Sequence, residues 1–482
     1  MAWLGTQGAL FTVDDNVQAN DHLVFVQMCR DFLWSLFAPI AVLFVDKRWE
    51  ELRSRSKNIP DNVIPLFDLE GMPDTSTAAP AAPSGRTSSA GRNPVPFWPL
   101  FRAFCLIRMM RMDGTPRDVY FLCMNNPLFL KACGFASLPS YRTFARFDQI
   151  MTKYGLWAEA RKIAVLHNFA QGVFVFDGFV AIDTTHVEAE ASAPKKNAAG
   201  EYVPNPHDDN VGVLRKSPCV TYIAHKMSLV NAAGCDAPLL GMAFYGNTAD
   251  VNTLQDTLRK LQAEYPSLAK RISAVLADGV YGSDENKKFV ADFLDAQLLS
   301  PINPGNRKEV PLAGVTGLHH IDKYGRPVCL EKHPMVFCGR RIENEQYIWG
   351  CPAFNPDKKV EGCSCSPANH AACCNMAEGG RVANLSRKLS PQIDWNLPQF
   401  SATFKKQYNM RSGIERNNGD LKEGYGFRHF EKRGRLNADA HIDKAILSFH
   451  ILARFAVLKG KANKRKSWST LMAEYTLAGL RK

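Results

Sequence analysis

The sequence predicts an α/β protein: a mixed β-sheet with flanking helices, an N-terminal helical region and a cysteine-rich insertion. Three observations carry that expectation. The run VFVFDGFVAIDTTHV, from residue 173, is rich in the β-branched and aromatic residues that suit a strand. Two further strand-like runs, residues 226–230 and 239–244, flank Gly234, Cys235 and Asp236, a hairpin turn. Beyond them, helix-like and strand-like segments alternate as far as residue 301.

Taken in order, residues 1–67 read as an apolar, largely helical segment. Residues 68–95 are dominated by Ala, Pro, Ser, Gly and Thr, a composition that cannot bury a core and predicts a flexible linker. Helix-like spacing returns over 96–170, broken at Gly114-Thr115-Pro116, Asn125-Asn126-Pro127 and Leu138-Pro139-Ser140. Short helices joined by tight turns suit a small DNA-binding domain, with Tyr141, Arg142, Arg146 and Lys153 facing phosphates; a plain bundle with a solvated basic face fits the same residues. Residues 171–304 then predict the first part of the mixed-sheet core. After the first three strands, Asp250 caps a helix through Leu258 and Leu261, a strand covers 272–277, a helix 284–294 and a strand 297–301. The order β-β-β-α-β-α-β is an antiparallel meander followed by right-handed crossovers, and it resembles the ribonuclease-H-like fold. Residues 305–398, rich in Cys, Gly, Pro and Asn, read as an inserted subdomain without a plausible apolar core. Helix resumes near Thr403 and runs past Lys422, a last apolar helix covers 442–458, and residues 461–482 form a basic tail that begins within KGKANKRKS; the span 399–460 completes the core.

Composition narrows the partners. The chain of 482 residues is 46% hydrophobic and 22% charged, ordinary for a globular protein, and carries a formal net charge of +12 with a pI near 9.0. A basic excess favours nucleic acid or an anionic membrane surface. The longest apolar run, residues 32–45, is interrupted by Ser35 and Pro39 and falls short of the roughly 20 residues a membrane span needs. No basic n-region opens the chain, so the expectation is a cytoplasmic protein, nucleoid-associated if it binds DNA.

Three carboxylates stand out by position. Asp183 lies near the end of the first strand in AIDTTH, Asp278 closes the fourth strand in VLADGVYG, and Glu415 sits on the helix after the insertion. Adjacent strands would bring the two aspartates to one sheet edge, and three hard oxygen ligands suit Mg²⁺ or Mn²⁺. Two such ions about 3.5–4 Å apart serve in-line phosphoryl displacement. The helix around Glu415 carries the spacing Y-x2-R-x3-E-x6-K in Tyr408, Arg411, Glu415 and Lys422. At about 100° per residue all four fall within roughly 60° of one another on one face. Such a face is a poor core stripe and fits a metal ligand flanked by phosphate-gripping groups. The bland reading stays with the other polar residues. Asp177, Asp250 and Asp284 are expected as caps or turn residues, His186 and His225 as hydrogen-bonded structural histidines. Lys405, Lys406, Arg416 and residues 432–435 are expected as a general basic surface.

From about residue 100 to 458 the chain resembles the insertion-sequence DDE transposases whose final acid lies in a Y-R-E-K signature, through IDTTHV, ADGVYGS and YNMRSGIERNNGDLKEGYGFRHF in that order. The resemblance implies Asp183, Asp278 and Glu415 as the metal-binding catalytic triad, with Tyr408, Arg411 and Lys422 contacting the cleaved DNA end. It implies cleavage at the ends of an insertion sequence and attack of the freed 3′-hydroxyl on other DNA, a hairpin intermediate included. The partners expected are double-stranded DNA, as terminal inverted repeats and target DNA, and a second copy in a homodimer on DNA. A transposase-derived regulator without catalysis, or a nuclease that never rejoins DNA, fits the same sequence.

Of 13 cysteines, Cys29, Cys105, Cys123, Cys133, Cys219 and Cys235 are scattered and read as buried thiols. Cys329, Cys338, Cys351, Cys363, Cys365, Cys373 and Cys374 crowd the insertion, with His333 and His370 nearby. Four thiolates among the seven would suit tetrahedral Zn²⁺; free thiols are the alternative. If zinc is held, protein purified without chelator contains about one zinc per chain by elemental analysis. Near-zero zinc with all seven thiols titratable in the folded state decides for free cysteines.

Overall fold

The computed structural model describes residues 27–55, 95–352 and 381–465, apart from 192–194, 204–207, 209, 218–219, 306, 313–314 and 316. Residues 1–26, the expected linker up to residue 94, and the tail beyond Arg465 lie outside the described residues.

Local signals set the first helices. They are α1 (Ala38–Arg55), α2 (Phe97–Arg108), α3 (Pro116–Asn125), α4 (Pro127–Cys133), α5 (Tyr141–Lys153) and α6 (Leu156–Ala170). Thr115 and Asp118 form a reciprocal capping box at the start of α3, with Pro116 in the first turn, where no amide donor is needed. Asn126 caps α4 by accepting from the Phe129 amide at 3.0 Å, and Gly134, at φ 94°, closes it. The three expected breaks fall between these helices. Their buried faces are aromatic: Phe101 stacks on Trp157 at 5.8 Å and meets Trp34 edge-on at 6.2 Å. This cluster is continuous with the core beneath the sheet, so the helices of residues 97–170 pack as one body with it.

The sheet is built on β1 (Phe179–Ala189). The strand starts six residues later than the apolar run, because Gly178 at φ 91° breaks it and Asp177 accepts the Phe179 amide in a turn. Phe174, ahead of that break, stacks on Phe449 instead. Two-residue strands β2 (Lys195–Lys196) and β3 (Tyr202–Val203) form a hairpin, followed by β4 (Gly212–Ser217), β5 (Val220–Ala232) and β6 (Ala237–Phe244). The β5–β6 hairpin turns where expected; β4 is an addition to the expected meander. The helix α7 (Leu254–Glu264) and the single turn α8 (Pro266–Ala269) lead to β7 (Ala274–Leu276); α9 (Asp284–Leu294) leads to β8 (Gln297–Leu299). β1 lies antiparallel to β5 and parallel to β7, which is parallel to β8. β5 is long enough to pair β4 and then β6 along its far edge.

The insertion has the core that its composition did not suggest. Strands β9 (Val310–Pro311), β10 (Leu318–Ile321) and β11 (Pro327–Cys329) form one small antiparallel sheet. Strands β12 (Val336–Arg341), β13 (Gln346–Gly350) and β14 (Val382–Ser386) form another. Leu318, Ile321, Met335, Tyr347, Trp349 and Leu385 fill a separate hydrophobic cluster. The expectation failed because its apolar residues are sparse in sequence and become a core only when strands over 30 residues apart pair. Cys329 and Cys351 are buried and Cys338 is exposed, each a free thiol; Cys363, Cys365, Cys373 and Cys374 lie outside the described residues.

The chain returns through α10 (Ala402–Tyr408) and α11 (Ser412–Gly424), then the short strand β15 (His429–Phe430) beside β1 and the long helix α12 (Arg435–Leu458). The expected single helix from 403 past 422 is interrupted by a 3₁₀ turn at Asn409–Arg411, and the last helix begins seven residues earlier than expected. Almost all of α12 from Ala438 to Ala456 is buried against α2, α6 and β6, including charged groups. Arg161, with no exposed surface, donates to Asp443 at 2.7 Å, Glu264 at 2.5 Å, the Leu239 carbonyl at 2.9 Å and Tyr265. Asp148, equally buried, accepts from Trp157, Lys444 and Lys432; burial favours its neutral form, but the two lysines hold it down at about 2. Lys432 is only half-buried and, besides belonging to the basic surface, pairs with this interior carboxylate. Breaking such a pair leaves a charge stranded out of water. Asp443→Asn is expected to lower unfolding stability by about 3–5 kcal/mol, measured as a fall in urea midpoint at unchanged slope.

Candidate active site

The register of β1 aligns the two aspartates. Val180 pairs with Val275 and Ala181 with Leu276, so two residues further on Asp183 and Asp278 stand at the same level on neighbouring parallel strands. The period of two puts both on the same side as Ala181 and Leu276. Asp278, just past β7, is exposed and caps the following 3₁₀ turn by accepting the Gly279 amide at 2.6 Å. Asp183 is only 20% exposed at its side chain.

Helix α11 lies over β1, β5 and β6 and brings the remaining groups. Arg411, in the 3₁₀ turn before it, donates to Glu415 at 2.8 Å and reaches Asp183 at 3.8 Å. Asn418 donates to Asp183 at 3.4 Å. Burial raises the Asp183 carboxyl to about 6; Arg411 opposes the rise, while Glu415 and Asp278 add to it. Burial also raises the Tyr408 phenol, again with Arg411 opposing and all three carboxylates adding; its ring stacks on Phe404 at 5.5 Å. Lys422, half-buried near the end of α11, contributes with Lys226 and burial to holding His186 at about 4. Asp183, Glu415, Arg411 and Tyr408 thus meet in one electrostatic neighbourhood with Asp278, and Lys422 borders it beside His186. The donor set is all hard oxygen, which suits Mg²⁺ or Mn²⁺. Among the described residues no three His, Cys, Asp or Glu side chains are gathered closely enough to enclose an ion as they stand.

One positioning residue, Asn418, was not singled out from the sequence, and another, Asp250, was read differently. Asn418 follows Arg411 and Glu415 at spacings of seven and three, the same helical face, and was legible by that rule. Asp250 is no helix cap: it opens a 3₁₀ turn and its carboxylate takes Lys226 at 2.7 Å and Thr184 at 2.8 Å, bracing β1 one residue from Asp183. His225 is fully buried, with Nε2 3.2 Å from Asp208 Oδ2.

Close backbone approaches locate α11 at both ends. At its start, a Cβ on Gly413 would stand 1.9 Å from Asp236 Oδ1, in the β5–β6 turn. Asp236 also accepts from Arg416 at 3.0 Å, and its carbonyl accepts from Asn417 at 2.9 Å. Past its end, Gly426 at φ 58° lies so near the Met112 carbonyl that a Cβ would be 2.0 Å away. Buried Arg108 donates there to the Tyr425 carbonyl at 3.2 Å. Of the residues expected to face phosphates, Tyr141, Arg142 and Lys153 are exposed, and Lys153 also pairs with Glu51 at 3.0 Å. No helix among the described residues is long and apolar enough to cross a membrane.

No family model and no curated protein matches the chain. Among solved structures it is similar to a piggyBac transposase synaptic complex with hairpin DNA: 12% identity, 82% of this chain and 74% of that one covered, TM-score 0.37. Two Mos1 transposase assemblies, a pre-cleavage transpososome and a paired-end complex with the left transposon end, match at 12% and 11% identity. Each covers 42% of this chain and 78% of its own, with a TM-score of 0.17.

The hairpin contact generates a stability test. Gly413→Ala is expected to cost about 1–3 kcal/mol, because the new methyl meets a fixed carboxylate. Asp236, at φ 50°, tolerates glycine, so in the Asp236→Gly background the same change costs less. Equal costs in both backgrounds, read from denaturant midpoints, rule out this contact as the constraint.

Proposed function

We propose that the protein is a DDE transposase of the Y-R-E-K branch, acting on double-stranded DNA at the ends of an insertion sequence. The observation that carries the reading is the level placement of Asp183 and Asp278 on paired parallel strands, with the helix bearing Glu415 laid over β1 and Arg411 in the turn before it. Strand order β6-β5-β1-β7-β8, antiparallel then parallel, supports a ribonuclease-H-like core. In this reading Asp183, Asp278 and Glu415 hold Mg²⁺ or Mn²⁺, and the ions, when bound, supply an activated water and stabilise the leaving oxygen.

The chain's own residues do the rest. Arg411 offers a planar fork of donors to a phosphate, and Lys422 a compact charge further along the helix. Tyr408, kept a neutral phenol by burial, is a hydrogen-bond donor toward the same phosphates. Asn418 and the Asp250–Thr184 contact fix the Asp183 side chain and its strand. The first reaction is hydrolysis at the transposon end; the freed 3′-hydroxyl then displaces an oxygen at a second phosphodiester, so one P–O bond forms as another breaks. Pairing of two ends requires two active sites, hence a homodimer on DNA. Zinc in the insertion stays part of this proposal.

Asp183→Asn, Asp278→Asn and Glu415→Gln are each expected to lose cleavage of end-bearing DNA while duplex binding persists, since each removes a metal ligand and leaves the phosphate-gripping cations in place. A folded variant that still cleaves removes that residue from the triad, and a strand-transfer assay separates a transposase from a nuclease. Arg411→Ala and Lys422→Ala should each lower the slope of log affinity against log salt by roughly one unit for every phosphate the native side chain neutralises. An unchanged slope means that the side chain does not touch phosphate.

A further inference from the structure

Arg411 sits inside the carboxylate group and is 14% exposed. One guanidinium nitrogen is 2.8 Å from Glu415 Oε1 and the other 3.8 Å from Asp183 Oδ1. Both are among the three carboxylates that the proposed reaction assigns to a divalent cation. An oxygen that accepts an N–H from a guanidinium is not free to turn fully toward a cation, and two positive groups on one pair of carboxylates repel each other. Asp183 is mostly buried, so that repulsion is only partly screened by water. With Arg411 in place, the buried negative charge is already compensated from within the chain.

We propose that Arg411 is an internal counter-ion that competes with a divalent cation for Asp183 and Glu415 and keeps the metal affinity of the DNA-free protein low. The inference rests on the assignment of Asp183, Asp278 and Glu415 as metal ligands. A phosphate oxygen accepts the same fork of N–H groups, so the guanidinium has another partner of the chemistry that the proposed substrate carries.

The test is Mn²⁺ binding to the full chain without nucleic acid, followed by the electron paramagnetic resonance signal of free Mn²⁺. Arg411→Gln, which removes the charge, is expected to bind Mn²⁺ roughly tenfold more tightly than the unaltered protein. Arg411→Lys, which keeps the charge, stays nearer the unaltered affinity, and adding Asp183→Asn to Arg411→Gln cancels the gain. Arg411→Met, of similar length and uncharged, makes the same test if the glutamine variant does not fold. An uncharged variant with equal or weaker affinity, in a protein whose binding falls with Asp183→Asn, overturns the counter-ion and leaves the metal site standing. Mn²⁺ binding indifferent to both Asp183→Asn and Asp278→Asn overturns the metal site itself, and this inference with it.

Discussion

Strand β1 is gripped on both long edges, antiparallel to β5 and parallel to β7, and this double register is the constraint on which the candidate site depends. Val180, Ala181 and Ile182 are fully buried on both faces of the sheet, so the strand cannot slide without burying Asp183 or exposing an apolar side chain. A shift by one residue would send Asp183 to the opposite face. Pairing with β7 then fixes the level of Asp278, and the short β15 closes the same edge beyond it.

The second half of the site is held by a different kind of interaction. Helix α11 has few strong local determinants of position; it is placed where Gly413 meets the Asp236 turn and where Gly426 meets the Met112 carbonyl. Behind it, α12 binds to the N-terminal helices through buried ions: Arg161 with Asp443, and Asp148 with Lys444. Arg108 joins in through His441, at 2.8 Å. These pairs link residues 282 to 333 positions apart. Charged groups taken out of water tolerate few geometries, because removing any one partner leaves a large desolvation cost. The helices of residues 97–170 thus act as an abutment for α11, through one continuous core.

Electrostatics connects the two halves. Asp183 is buried enough that its carboxyl rises to about 6, with Arg411 holding it down and two other carboxylates pushing it up. The balance depends on the 3₁₀ turn at Asn409–Arg411, which ends α10 and aims the guanidinium back at both Asp183 and Glu415. An uninterrupted helix, as the sequence suggested, would still have placed Arg411 and Glu415 one turn apart. The contact with Asp183 needs the sheet.

The sequence by itself determined whatever depends on near neighbours. Gly114-Thr115-Pro116 and Asn125-Asn126-Pro127 were legible as breaks between helices because turn and capping chemistry is satisfied within four residues. The β5–β6 hairpin and the helix face carrying Arg411 and Glu415 were legible for the same reason, since period and turn chemistry are local. Tertiary structure alone decided the core of the insertion, whose strands β13 and β14 pair across a long span, and the pairing of half-buried Lys432 with buried Asp148. It alone decided that Asp250 braces β1 through Thr184, and that a side chain at 413 is penalised because a carboxylate from another hairpin fills the space. Spacing along the chain records which groups can share a face; which of them meet is settled by packing and by the cost of leaving a charge buried without a partner.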